Sequence, residues 1–265
     1  MYIDYWRLNC MPFENVSDYR FFFESEDHRE AATRVQFAIQ TRKLMMLLIG
    51  DYGVGKTMVC ETVQHKLPTN EYKVVFIRNP RMDGLDLTRE IAYQLGEEVH
   101  TRSPYDALHA VNNLLQRHAS TGRHSVVFVD EAQLIMNTST LEDLRLLLNN
   151  QEGGRSLMTL VLSGQSEIGD MLKAKPQIMQ RIALKYNIMG LSAGDVRPYI
   201  EHRIQVAGGT GNLFDESAMQ EIASLSKGNP REVNSLCDLC LLIGSLKQAS
   251  SITVPIVRDA WMERA

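Results

Sequence analysis

The chain has 265 residues, 44% hydrophobic and 23% charged, an ordinary globular composition with length for one large domain and a smaller one. Its formal net charge is −4, from 28 basic and 32 acidic residues, so it lacks the basic excess of a bulk nucleic-acid binder. The N-terminal residues have no basic stretch followed by an apolar one, and no apolar run approaches the ~18 residues of a membrane span. The expectation is a soluble, cytoplasmic chain.

Residues 1–43 hold an aromatic-rich segment, with Pro12-Phe13 and Phe21-Phe22-Phe23, and then a helix. The aromatic side chains are expected to anchor this segment onto the core. Short apolar runs follow at 44–49, 73–77, 125–129 and 157–162. Strands buried on both faces of a parallel sheet have this character. A fifth strand is expected at 183–188. Helical periodicity fills the gaps at 56–66, 85–99, 104–119 and 141–150, and strands alternating with helices are the mark of a parallel α/β sheet. After Met189 no strand-like run occurs. Residues 193–206, 216–226, 230–247 and 254–263 read as helices, broken at Gly208-Gly209-Thr210-Gly211 and Gly228-Asn229-Pro230. The predicted domains are an α/β domain over 44–190, with 1–43 packed on it, and a small all-helical domain over 191–265.

Cys237 and Cys240 form a C-x-x-C, a spacing used in zinc and redox sites. Val233, Leu236 and Leu241 share their helical face, and no second pair completes a zinc site, so these cysteines read as apolar core.

Gly50-Asp51-Tyr52-Gly53-Val54-Gly55-Lys56-Thr57 fits the phosphate-binding pattern G-x-x-x-x-G-K-[ST], between an expected strand and an expected helix, with Met58 next. Glycines let the main-chain N–H groups turn toward phosphates, and the helix N-terminus adds partial positive charge. Lys56 is expected on the β- and γ-phosphates and Thr57 on Mg²⁺. The apolar run ending in Asp130-Glu131 resembles a Walker B strand. Asp130 is expected to help hold Mg²⁺, and Glu131 to polarise the attacking water as general base.

With these motifs stand Ser25 and His28-Arg29-Glu30, Ala132-Gln133, Leu144-Arg145, Ser163-Gly164-Gln165-Ser166-Glu167, Gln180-Arg181, Tyr199-Ile200-Glu201-His202-Arg203 and Gly228-Asn229-Pro230-Arg231-Glu232-Val233-Asn234. As a set they resemble the ExeA/GspA family of AAA+ ATPases over nearly the whole chain. The resemblance implies a P-loop AAA+ fold: a parallel sheet flanked by helices, with a C-terminal helical lid. It implies a sensor at Gln165, with Ser163 in reserve. It implies that Arg181 reaches a neighbouring subunit's ATP in a ring or helical oligomer, and that Arg231 on the lid contacts the nucleotide. Family members resemble secretion and pilus-assembly ATPases, and related proteins of the MuB and TnsC kind regulate DNA transposition. The longer secretion members continue into a membrane span and a peptidoglycan-binding domain. This sequence ends at Ala265, so action through a protein partner, or in another pathway, is expected.

Two functions compete. The first is an oligomeric Mg-ATP hydrolase that serves as motor or switch in assembly of an envelope machine. The second is an ATP-dependent filament on DNA, for which Arg78, Arg81 and Arg155 are the candidate contacts; the −4 charge counts against it. A scaffold that binds ATP without hydrolysing it would not need Glu131. The first function is favoured.

Overall fold

The computed structural model describes residues 2–135, 137–210 and 212–264, with main chain only at Thr138 and Glu152. Gly211, one of the glycines expected to separate helices, lies outside them. In chain order the first elements are α1 (Tyr2–Trp6), a 3-10 turn (Tyr19–Phe21), α2 (Glu26–Gln40), β1 (Met45–Ile49), α3 (Lys56–Lys66), β2 (Tyr72–Ile77), α4 (Gly84–Leu95), α5 (Pro104–Ser120) and β3 (His124–Val129). A 3-10 turn (Ala132–Leu134), α6 (Thr138–Leu147), β4 (Gln151–Glu152), β5 (Arg155–Ser156), β6 (Met158–Gly164), α7 (Ser166–Lys173), α8 (Pro176–Met179) and β7 (Ile182–Asn187) follow. The chain closes with α9 (Ala193–Val206), α10 (Glu216–Ser226), α11 (Pro230–Leu246) and α12 (Val254–Arg264).

Two compact units result. One holds Glu30–Asp51 and Val59–Ile188; the other holds Met1–Arg29, Tyr52–Met58 and Met189–Ala265.

The first unit is built on a five-stranded sheet in the order β2-β3-β6-β1-β7, with every pairing parallel. Every residue of β1, β3 and β6 is buried, as continuous apolar runs demand of central parallel strands. Leu47, Ile49, Val127, Val129, Leu160 and Leu162 share one core with Leu87, Ile91, Leu115 and Leu144 of the covering helices. β7 alternates half-buried and exposed residues, as an edge strand does, and carries Lys185 on its exposed side. The helix expected over 85–99 ends at Leu95, because Gly96 takes a left-handed φ of 118° and its N–H closes on Ala92 O. The hairpin β4–β5 and the four-residue α8 were not anticipated; they are too short to carry a periodicity.

The second unit has a helical core in which Val196, Ile200, Ile204, Ile222, Leu236, Cys237, Cys240, Leu241 and Val257 are buried. Burial pushes both thiols up, Cys240 to about 12, so they behave as small apolar groups. Trp6, Phe13 and Phe21 belong to this same cluster, whereas the sequence analysis placed the aromatic segment on the α/β core. The physical reason is a buried cation. Arg203 Nε donates to Pro12 O at 2.5 Å, its Nη2 donates to Glu14 O at 3.1 Å, and its guanidinium lies 4.8 Å from the Phe21 ring centre. An arginine that is 3% exposed needs such acceptors, and the N-terminal main chain supplies them. Trp6 Nε1 adds a hydrogen bond to Leu241 O at 2.8 Å.

Candidate nucleotide site

β1 hands the chain to Gly50, whose N–H donates to Gly164 O at 3.3 Å. The loop then turns through Gly53 (φ 81°) and Gly55 (φ 103°), both in the left-handed region. Space demands glycine there as well. A Cβ on Gly53 would lie 2.7 Å from Asn229 Oδ1 and 2.9 Å from Arg231 Cβ; one on Gly55 would lie 2.8 Å from His28 Nε2. The loop delivers Lys56, 5% exposed, as the first residue of α3, followed by Thr57 and Met58. Val54 is buried, and Asp51 and Tyr52 are exposed.

His28 props this loop. Its Nε2 lies 2.8 Å from Val54 O, and its Nδ1 lies 2.7 Å from Ser25 Oγ. A carbonyl oxygen only accepts, so Nε2 carries the hydrogen and Nδ1 accepts from the serine hydroxyl. Burial pushes the ring's pKa down, which keeps it neutral at pH 7.

The start of α11 grips the same loop. Asn229 caps the helix, accepting from Arg231 N–H at 3.0 Å, and its Nδ2 donates to Tyr52 O at 2.7 Å. The Arg231 guanidinium stacks 4.3 Å from the Tyr52 ring centre and donates to the Tyr52 hydroxyl. Arg231 is therefore at the phosphate loop, and a second residue, Asn229, holds the two segments together. The sequence offered Asn229 only as part of the break Gly228-Asn229-Pro230 and of the motif around Arg231.

In the α/β unit Asp130 follows the last residue of β3, is 3% exposed, and donates its N–H to Ile77 O at 2.8 Å. Glu131 comes next with φ 49° and ψ 40°, a left-handed conformation that costs a non-glycine residue about 1–3 kcal/mol. Gln133 holds the Glu131 carboxylate: its Nε2 donates to Glu131 Oε2 at 2.5 Å, and its Oε1 accepts the Gln165 N–H at 3.0 Å. A Cβ on Gly164 would meet Gln133 Oε1 at 2.6 Å, so Gly164 makes room for the bridge. Sequence reasoning gave Gln133 no role; the signal available was an amide two residues beyond the carboxylate. Ser163 Oγ is buried with no hydrogen-bond partner among the described residues, and Gln165 is half-buried at the head of α7.

Arg181 is half-buried, and its Nη2 donates to Asn149 Oδ1 at 3.0 Å. It precedes Ile182, which pairs with Met45 at the start of β1. Gly50 leaves the far end of that five-residue strand, roughly 16 Å away at 3.3 Å per residue. The candidate DNA contacts do not share a face: Arg78 follows the carboxyl end of β2, whereas Arg155 lies in the hairpin before β6, at the amino edge. Arg78 is also ion-paired with Glu61 at 2.9 Å.

The AAA domain family matches residues 39–172, which are 134 of the 265 residues. The chain belongs to that AAA domain family. It is 34% identical over 251 residues to the General secretion pathway protein A of Aeromonas hydrophila, a match covering 91% of this chain and 44% of the relative. The AAA chain thus spans less than half the length of that relative. Its fold is shared with the Aeropyrum pernix ORC2 protein in ADPNP-ADP complexes (TM-score 0.74, 16% identity, 92% of this chain and 70% of that one). It is shared too with the Thermotoga maritima RuvB Holliday junction branch migration motor (TM-score 0.63, 18% identity, 90% and 69%). No helix among the described residues is long and apolar enough to cross a membrane.

Proposed function

We propose that this AAA chain binds ATP with Mg²⁺ and hydrolyses it within a homo-oligomer, as a cytoplasmic motor or switch in the assembly of a bacterial secretion or pilus machine. The observation that carries the reading is the phosphate loop itself. Two left-handed glycines between β1 and α3 lead to a buried Lys56 at a helix N-terminus, which is how a chain presents N–H donors and one cation to phosphates. The process rests on the relative's name, General secretion pathway protein A.

Each residue then has a chemical task. Gly50, Asp51, Tyr52, Gly53, Val54, Gly55 and Met58 shape the loop, and Lys56 neutralises phosphate charge. The Thr57 hydroxyl and the Asp130 carboxylate are hard oxygen donors, the set that Mg²⁺ prefers. When bound, the ion neutralises charge on the phosphates. Glu131 accepts the proton of the attacking water on a carboxylate that Gln133 keeps oriented. Gln165, or the buried hydroxyl of Ser163, senses the terminal phosphate. Arg231, stacked on Tyr52 within the helical unit, contacts the nucleotide beside the loop. The strand length that separates Arg181 from Gly50 supports a role for Arg181 in trans, on a second copy's ATP. The ion pair of Arg78 with Glu61 weighs against a DNA role. The test is ATP turnover in wild type against Glu131→Gln.

A further inference from the structure

The amino-terminal edge of the sheet carries a concentration of charge of which the nucleotide reading uses only Arg181. Between the end of α2, the β4–β5 hairpin and the start of β7 lies an open cavity of about 610 Å³. Arg42, Lys43, Arg155 and Arg181 line it, and no carboxylate stands among its described lining residues. Its other polar groups include the side-chain amides of Gln151 and Gln180. In a chain of net charge −4 this is a local reversal of sign. Arg42 adds a second observation: its φ is 52°, a left-handed turn after α2 where glycine would sit without strain. Arginine occupies it nonetheless and lines the cavity.

We propose that this cavity is a second anion site, for a compact polyphosphate. Four cations gathered along one cleft repel one another until an anion enters, and arginine pairs bidentately with phosphate oxygens. The volume lies in the ~300–1,000 Å³ range of small-ligand pockets. A duplex backbone calls instead for a stripe of cations spaced along a surface. The site is distinct from the phosphate loop, since β1 separates the two ends of the sheet. The polyphosphate has two sources: free polyphosphate, or the nucleotide of a second copy of this chain. The second source rests on the ATPase reading above; binding itself does not.

The experiment titrates inorganic tripolyphosphate, followed by calorimetry, into the Lys56→Ala chain, whose phosphate loop is disabled. The expected result is binding that weakens as salt rises. The further pair Arg42→Ala/Arg155→Ala should reduce affinity about tenfold or more, while a control pair at exposed cations elsewhere, Arg20→Ala/Arg258→Ala, should leave it within about twofold. A parallel arm measures ATP-dependent association of the otherwise wild-type Arg42→Ala/Arg155→Ala chain by sedimentation. Loss of tripolyphosphate binding together with loss of association assigns the site to a second copy's nucleotide. Loss of binding with association intact assigns it to free polyphosphate. No binding in the Lys56→Ala chain, or equal losses in the two arginine pairs, overturns the proposal. So does a 20-base-pair duplex that displaces tripolyphosphate at lower concentration, which would make the cavity part of a nucleic-acid interface.

Discussion

The side chain of Gln133 ties the Glu131 carboxylate to the main chain of Gln165, donating to one at 2.5 Å and accepting from the other at 3.0 Å. If Glu131 is the base, as proposed, the Gln133 amide fixes the direction of its carboxylate. Gln133→Ala should therefore lower kcat about tenfold with KM for ATP unchanged, because only orientation is lost. Gln133→Glu should lose more, since it sets a second carboxylate against Glu131. Gln133→Asn should recover little, its amide being one methylene short of the carboxylate. Steady-state kinetics checks all three, and equal effects on KM and kcat would mean that Gln133 merely supports the loop.

The contact between Asn229 and Tyr52 O separates helix capping from nucleotide binding. Asn229→Asp keeps an oxygen that caps α11 but removes the Nδ2 donor, whereas Asn229→Ala removes both. The aspartate variant should melt near the wild-type temperature yet bind Mg-ATP about tenfold more weakly, the worth of one hydrogen bond to the loop. The alanine variant should also lose about 1 kcal/mol of stability. Arg231→Ala should weaken ATP binding while leaving the cap intact. Calorimetric ATP titration beside thermal melts decides; an aspartate variant with wild-type affinity would remove Asn229 from the site.

Much of this was legible in the sequence, and the boundary has a physical cause. The runs that became β1, β3 and β6 are apolar because both faces of a central parallel strand are covered, so composition alone marks them. The phosphate loop was legible because its glycines answer a local demand of backbone φ. Gln133, Asn229, His28 and Arg203 were opaque as working parts. Asn229 reaches Tyr52 across 177 positions and Arg203 reaches Pro12 across 191, and no periodicity encodes such pairs. The N-terminal aromatics followed Arg203 for the same reason.

Acid should weaken the sheet through His124, the first residue of β3. Burial pushes its pKa down to about 4, and its Nε2 lies 2.9 Å from Thr159 Oγ1. The unfolded ring takes up a proton near pH 6.5 while the folded one does not until about 4. The stabilisation is thus complete above pH 6.5 and drains away as pH falls toward 4, by about 3 kcal/mol. His28 is shifted in the same direction by burial. Denaturant midpoints at pH 7, 6 and 5 should fall steadily in wild type and less steeply in His124→Leu. An identical slope in both would assign the acid sensitivity elsewhere.

Arg181 stands at the amino edge of the sheet, and Gly50 leaves its carboxyl edge. As a residue acting in trans, Arg181 should supply a rate factor on the order of 10³ or more. Arg181→Ala and Lys56→Ala should each be nearly inactive alone and regain activity when mixed, because one mixed interface pairs an intact loop with an intact arginine. Absence of recovery in subunits shown by crosslinking to mix would refute the role in trans.

ATP turnover by Glu131→Gln at saturating Mg-ATP, set beside wild type, tests the central claim most directly. The glutamine keeps the size of the side chain and removes the base. The account predicts measurable turnover in wild type, at least about a 10²-fold loss in the variant, and equal thermal stabilisation of both by Mg-ATP. Equal turnover in the two chains, or no turnover in wild type under conditions where Mg-ATP stabilises it, would contradict the assignment of this chain as an ATP hydrolase with Glu131 as its base.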